Sequence, residues 1–297
     1  MSKPRIAVIG NPGKWSTEVL ADALEQRTGF RLVTELSATE LNLSNGKLIS
    51  SGYNLSELDG IVIRKVGTSF SPVCIERLEM LRVAEQAGVR ILNSPNALIR
   101  LLDRLACSVT LYNHNIPMPP TLVTESVDSA MRQVKEWGQA ILKPLFSTKA
   151  RGMQVLDAHL SDKLLKSQLV RYKTRHPLIY LQQYVDLKGE DMGLIFIKGQ
   201  YQGAYTRIAG NKSWNTTINS GGRYGPCSPT QEMIDIAYRA QAAFNLDYAT
   251  VDMAVTETGP VVFEVSALGG FKGAHAGSGI VLADRIADFM LQELQGK

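Results

Sequence analysis

Two carboxylates within one short stretch have the spacing to hold a divalent cation. Residues 248–266 read as two strands joined by a polar turn, Thr256-Glu257-Thr258-Gly259-Pro260. Side chains alternate faces along a strand, so Asp252 and Ala254 share one face, and Val262, Glu264 and Ser266 share one face of the partner. A hairpin folded about Thr258 sets Asp252 directly opposite Glu264. Like charges facing each other across strands repel. Mg²⁺ would turn that liability into a use, because it takes a few carboxylate oxygens and completes its shell with phosphate oxygens and water. An ordinary hairpin with one acid in solvent has the same pattern, so the rest of the chain must decide.

Cations suited to an anionic ligand recur at strand ends. Gly60-Ile-Val-Ile63 ends in Arg64 and Lys65, at the carboxyl end where ligands sit in open α/β sheets. These two either grip a substrate carboxylate or phosphate, or cap a solvated strand end. Lys143 closes another strand and leads into Pro-Leu-Phe-Ser147-Thr-Lys149-Ala-Arg151-Gly-Met. Such a hairpin either presents N–H groups and cations to a polyphosphate or is an exposed basic turn. Residues 210–224 form a glycine- and amide-rich loop too long for a mere connection. Its Asn219, Gly221, Gly222 and Arg223 are candidate substrate contacts, together with Arg64 and Lys65.

The elements that must position these groups alternate. Residues 5–9 read as a buried strand and 17–27 as a helix, with Ser16 as N-cap and Gly29 past its end; 30–33 is a second strand. This order predicts a doubly wound parallel unit. The loop 10–13 lacks the Gly-x-Gly-x-x-Gly spacing of a dinucleotide site. A helix over 73–86 and a strand over 89–92 complete the unit. One helix is predicted over 96–112, carrying Asp103-Arg104 in its middle. The proline-rich run 115–121 breaks all periodicity and marks the crossing into a second unit. A helix over 127–137 and strands over 140–143, 178–185, 194–197 and 202–206 follow, the last ending at Arg207. Helices over 229–245 and 280–294 close the chain.

Composition narrows the classes. The 297 residues, 44% hydrophobic and 20% charged, suit a globular protein of two or three units. A net charge of +4 without a Lys/Arg run gives no nucleic-acid surface. The amino-terminal apolar run is too short for a signal peptide or a membrane span. Three scattered cysteines fit a reducing cytosol. A cytoplasmic protein with no membrane partner is expected. The four histidines lack metal-ligand spacing; His275, beside a glycine-rich segment, is the one worth testing.

The order Asn93-Ser-Pro, Asp103-Arg104, Ile116-Pro-Met-Pro, Lys143-Pro-Leu-Phe-Ser, Gln182-Gln183-Tyr184, Asp191, Arg207, Val251-Asp252, Phe263-Glu264-Val-Ser and Gly270-Phe-Lys-Gly resembles the ATP-grasp superfamily, in its RimK-like branch of glutamate ligases. More narrowly, Trp15-Ser-Thr-Glu, Phe146-Ser-Thr-Lys-Ala-Arg-Gly-Met, Ser213-Trp-Asn-Thr-Thr and Glu264-Val-Ser-Ala resemble the ATP-grasp member of the GAK gene system. The resemblance implies an α/β (α+β) class: an ATP-grasp fold with an N-terminal Rossmann-like pre-ATP-grasp domain (1–95), a central lid subdomain (96–185) and a C-terminal subdomain (186–297). It implies ATP and Mg²⁺, with Mn²⁺ as a substitute. Carried over by position, Arg104, Lys143 and the loop residues Ser147, Lys149 and Arg151 face the phosphates. Gln182, Gln183, Tyr184 and Val185 form the adenine hinge, and Asp191 lies near the ribose. Asp252, Glu264 and Ser266 hold the metal, and Arg207 is the catalytic cation. The implied reaction phosphorylates a carboxylate to an acyl phosphate, which an amine then attacks, releasing ADP and phosphate. The partners are small-molecule or peptide carboxylates and amines, and a homo-oligomer is compatible. A phosphotransferase, or a nucleotide-binding module without catalysis, would use the same scaffold. Three positions depart from the pattern. Ser266 replaces the usual asparagine ligand, Ser147 and Ala150 stand where relatives often have glycine, and Asn215 stands where an arginine is usual.

Overall fold

The computed structural model describes residues 3–211 and 213–296. Met1, Ser2, Lys212 and Lys297 fall outside it, so the amino-terminal reading lies partly outside the described residues. The chain opens with β1 (Ile6–Ile9), α1 (Trp15–Thr28) and β2 (Val33–Thr34), then a small sheet of β3 (Thr39–Asn42), β4 (Lys47–Ser50) and β5 (Tyr53–Asn54), which periodicity did not reveal. β6 (Gly60–Ile63), α2 (Val73–Gln86) and β7 (Arg90–Leu92) follow. The main sheet has the order β2-β1-β6-β7, and β1 runs parallel to β2 and β6. Ile6-Ala-Val-Ile9 and Gly60-Ile-Val-Ile63 are buried throughout, as strands covered on both faces must be. Ile6 and Val8 pack with Leu20 and Leu24 of α1, while Ala7 and Ile9 pack with Leu78 and Leu81 of α2.

Two local readings need correction. Lys14, not Ser16, is the N-cap of α1, and its side chain makes no capping bond; Glu18 reaches back to the Gly13 N–H at 2.6 Å instead. The single helix expected over 96–112 is two, α3 (Pro95–Leu102) and α4 (Arg104–Asn113). Asp103 takes an extended backbone, φ −90° and ψ 116°, and its carboxylate caps α4 through the Leu105 N–H at 2.8 Å. An aspartate gains more from a cap than from a mid-helix position. The break places Arg104 at the first residue of a helix rather than in the middle of one.

The next sheet contains β8 (Thr121–Thr124), β9 (Gln139–Leu142), β10 (Gln154–Asp157) and β11 (Ile179–Gln183), in the order β10-β9-β11-β8. Helices α5 (Val127–Trp137) and α6 (Asp162–Lys173) cover one face through Ala130, Val134, Leu165 and Leu169. The third sheet has the order β14-β13-β12-β15-β16, from β12 (Glu190–Ile197), β13 (Gln200–Ile208), β14 (Arg223–Pro226), β15 (Tyr248–Thr256) and β16 (Gly259–Ser266). Helix α7 (Gln231–Ala242) packs Met233, Ile236 and Ala237 on one face of it, against Leu194, Val251 and Val262. The opposite face carries the polar residues and meets α8 (Phe271–Ser278). The last helix, α9 (Leu282–Gln295), returns to the first sheet, where Ile286 and Met290 join the Ile6 and Val8 cluster. No helix among the described residues is long and apolar enough to cross a membrane.

Candidate active site

The hairpin β15–β16 sets Asp252 opposite Glu264, by a route that alternation does not foresee. Thr256 pairs with Gly259, so Glu257 and Thr258 alone make the turn. Continued regularly, that register would set Phe263 against Asp252 and send Glu264 to the other face. A bulge intervenes: Met253 pairs with Val262 and Asp252 with Glu264, which leaves Phe263 without a partner residue. One extra residue re-aims the strand. Val262 therefore faces the core, fully buried, and does not share a face with Glu264 as strict alternation requires. Ser266, paired with Thr250, lies on the site face.

The registers of the third sheet place Pro226, Tyr205, Gly193, Asp252 and Glu264 in one row across five strands. The next row holds Tyr224, Arg207 and Asp191. Arg207 grips Asp191 in a two-pronged pair, Nε to Oδ1 at 2.9 Å and Nη2 to Oδ2 at 2.7 Å, and its Nη1 donates to Asp252 Oδ2 at 3.0 Å. Such fork-to-carboxylate pairs fix geometry as well as charge. Burial pushes the Asp252 carboxyl up to about 6, against the pull of Arg207 and with the push of Asp191 and Glu264. The two acids raise the Arg207 guanidinium well above its ordinary value despite its burial. Asp191, expected near a ribose, is thus held by Arg207 beside the paired acids.

On the other side stand the residues expected to meet phosphates. Lys143 is buried, and its Nζ donates to Gln182 Oε1 and lies 5.5 Å from the centre of the Phe263 ring. Burial, helped by Arg104, pushes its ammonium down to about 7. Gln182 is fixed in turn by donating to Thr121 Oγ1 at 3.0 Å. Arg104 bridges the two sheets: Nε donates to Pro144 O at 3.1 Å, and Nη1 lies 3.5 Å from Glu264 Oε2. Between β9 and β10 the basic hairpin folds as expected, with Ser147 Oγ donating to Arg151 O at 2.6 Å and Lys149 and Arg151 exposed. Lys149 and Ala150 take φ of 58° and 56°, a region that suits glycine. At the end of β11 the Gln183 and Tyr184 N–H groups bond to Pro120 O and Gln139 O. The Val185 N–H has no acceptor among the described residues.

The donor set fits Mg²⁺. Asp252 offers Oδ1 and Glu264 offers Oε1, each without a partner among the described residues. No group of three or more acids, histidines and cysteines of metal-binding arrangement occurs among the described residues. Two carboxylates and a hydroxyl are too few for a closed cage, and Mg²⁺ commonly draws its remaining oxygens from phosphates and water. Ser266 Oγ accepts the Leu268 N–H at 3.3 Å, which leaves its hydroxyl free to turn.

Arg64 and Lys65 both donate to Leu268 O, just before α8, at 2.5 and 3.0 Å. They thus join the first sheet to the end of the acidic hairpin. Asn219 and Gly221 are exposed and Gly222 half-buried on the long loop, and Arg223, also exposed, opens β14. His275 stacks on Trp15 with ring centres 5.6 Å apart. Sequence reasoning missed Tyr205, Gly193 and Phe263. The signal for the first two was present: Tyr205 is two residues before Arg207, hence on its face. The bulge at Phe263 left no sequence signal.

Comparison with known proteins shows the family. The model of the RimK-like ATP-grasp domain matches residues 102–290, and the chain belongs to that family. It is 27% identical over 267 residues to the tetrahydromethanopterin:alpha-L-glutamate ligase of Methanosarcina acetivorans, covering 85% of this chain and 82% of that protein. The solved structure of the ATP-grasp ligase PsnB with a phosphomimetic variant of its minimal precursor, Mg and ADP superposes with a TM-score of 0.76 at 18% identity, over 99% of this chain and 100% of that one. D-cycloserine synthetase DcsG gives 0.74 at 17% identity, over 97% and 99%. At such identities the structural likeness speaks for the fold.

Proposed function

We propose that this RimK-like ATP-grasp enzyme activates its acid as an acyl phosphate at the row of Asp252 and Glu264, where Arg207 waits for the reacting carboxyl. The chain is an ATP-dependent carboxylate–amine ligase that forms ADP. The observation that carries the site assignment is the pairing of Asp252 with Glu264 across β15 and β16, with Arg207 bonded to the first and Arg104 beside the second.

In this reading Gln182, Gln183, Tyr184 and Val185 hold adenine, the free Val185 N–H supplying a donor. Lys143, Arg104 and the hairpin with Ser147, Lys149 and Arg151 offset the charge of the triphosphate. Asp252, Glu264 and the Ser266 hydroxyl would hold Mg²⁺, or Mn²⁺ in its place, and the bound cation would supply charge neutralisation for the triphosphate. Arg207, kept charged and fixed by Asp191, orients the substrate carboxylate and then stabilises the oxyanion as the amine attacks. Arg64, Lys65, Asn219, Gly221, Gly222 and Arg223 face the acid and the amine. The substrates are a carboxylate and an amine of amino-acid, cofactor or peptide kind in a reducing cytoplasm, and the glutamate of the relatives is the first to try.

The test is an ADP-release screen over candidate acids, L-glutamate among them, with hydroxylamine as surrogate nucleophile. ADP and hydroxamate should form together and only with the right acid. ADP formed with an acceptor but without hydroxamate would point to phosphotransfer, and ATP binding without any turnover would point to a module that has lost catalysis.

A further inference from the structure

Arg207, Arg104 and Lys143 each answer an acid or a polyphosphate. Arg64 and Lys65 answer neither. Arg64 is 5% exposed, its Cζ lies 4.0 Å over the ring of Phe271, and its Nε has no partner among the described residues. Lys65 shares with it the one neutral carbonyl of Leu268. Among the described residues neither cation has a carboxylate within ion-pair distance. Burial pushes the Arg64 guanidinium down to about 10. It pushes the Lys65 ammonium down to about 7, with the charges of Arg64 and of Lys149 on the phosphate hairpin adding to the effect. A buried charge left unpaired is costly. One cation bonded to Leu268 O would suffice to join the sheets, so a second beside it is surplus to that structural role.

A small cavity lies against Arg64, lined also by Asn93, Tyr248, Ala267 and Phe271. Tyr205 lies over Gly193 in the row of Asp252: a Cβ on Gly193 would meet its Cζ and hydroxyl at 2.6 Å. Gly273 of α8 closes over the same ring, and Gly277 over its Cβ. The phenol is buried, and its hydroxyl has no hydrogen-bond partner among the described residues. Tyr205 therefore packs between Gly193, in the row of Asp252, and α8, whose Phe271 carries Arg64.

We propose that the end of β6, where Arg64 and Lys65 meet Leu268 ahead of α8, binds a second anionic group of the acid substrate. This rests on the ligase reading and narrows it: the reacting carboxylate goes to Arg207, and the acid bears another oxyanion, a carboxylate or a phosphate ester, that meets Arg64 and Lys65. Small monocarboxylic acids would leave Arg64 and Lys65 unmatched and are poor substrates.

The test needs no turnover. Calorimetric titration of the full chain, saturated with Mg-AMP-PNP so that the triphosphate positions are filled, measures succinate in one arm and inorganic phosphate in the other. At least one anion should bind the wild type, and Arg64→Met and Lys65→Met should each weaken it about tenfold or more. Affinity for the nucleotide should hold. The tighter arm tells a dicarboxylate from a phosphorylated acid. Lys65→Met keeps the Arg64 stack on Phe271, so its effect does not depend on the fold of the Arg64 variant. Absence of anion binding to the wild type, or equal binding to wild type and both variants, overturns the proposal. A failed hydroxamate screen would instead count against the acyl-phosphate reading, and the two results are read separately.

Discussion

Replacing Lys143 with methionine should weaken nucleotide binding and yet, at pH 6, stabilise the empty protein. The Lys143 ammonium, pushed by burial from 10.5 to about 7, binds its proton less readily folded than unfolded. Its penalty on stability is therefore complete below pH 7, shrinks as pH rises through the window from about 7 to 10.5, and is gone above it. Linkage puts the penalty at roughly 5 kcal/mol at pH 6 and roughly 2 kcal/mol at pH 9. Methionine removes it but strips Gln182 Oε1 of its buried donor, which costs about 1–3 kcal/mol. The loss of the ammonium over the Phe263 ring removes roughly another 0.5–1 kcal/mol. The balance at pH 6 favours the variant by about 1–3 kcal/mol, several degrees of melting temperature. At pH 9 it is near zero or negative. Thermal melts of both proteins at the two pH values, with and without Mg-ATP, provide the check. Wild type should gain from the nucleotide, and the variant should lose at least about tenfold in affinity. A variant that melts below wild type at pH 6, or a difference that ignores pH, would refute Lys143 as a buried cation held in waiting for an anion.

Glu264→Ala should abolish ATP turnover in a protein that still folds, because it removes a charge facing Asp252; circular dichroism and ADP release measured together decide it. Arg207→Lys keeps the charge but cannot span Asp191 and Asp252 at once, so kcat should fall about a hundredfold or more, with the pH profile recorded alongside. Gly193→Ala forces a methyl to within 2.6 Å of the Tyr205 phenol and should cost about 1–3 kcal/mol in a denaturant melt; Tyr205→Ala in the same chain should recover part of it.

The sequence by itself determined the parts that depend on local pattern. Buried runs such as Ile6–Ile9 and Gly60–Ile63 could only be central strands, and Arg64 and Lys65 had to sit at the ligand end of one. Lys143 before a basic hairpin, and Arg207 ending a strand, were legible for the same reason: their place follows from what precedes them along the chain. Tertiary structure decided what depends on pairing across the chain. Alternation alone placed Val262 with Glu264, but the short turn at Glu257-Thr258 requires the extra residue Phe263 before Glu264 can face Asp252. The break of the long helix at Asp103, which aims Arg104 at Pro144 and Glu264, needed the facing sheet to be present. The grip of Arg207 on Asp191 was not legible along the chain, because it follows from the antiparallel register that sets β12 beside β13. A bulge or a cross-strand row is a relation between segments distant in sequence, and its energy exists only once both are folded against each other.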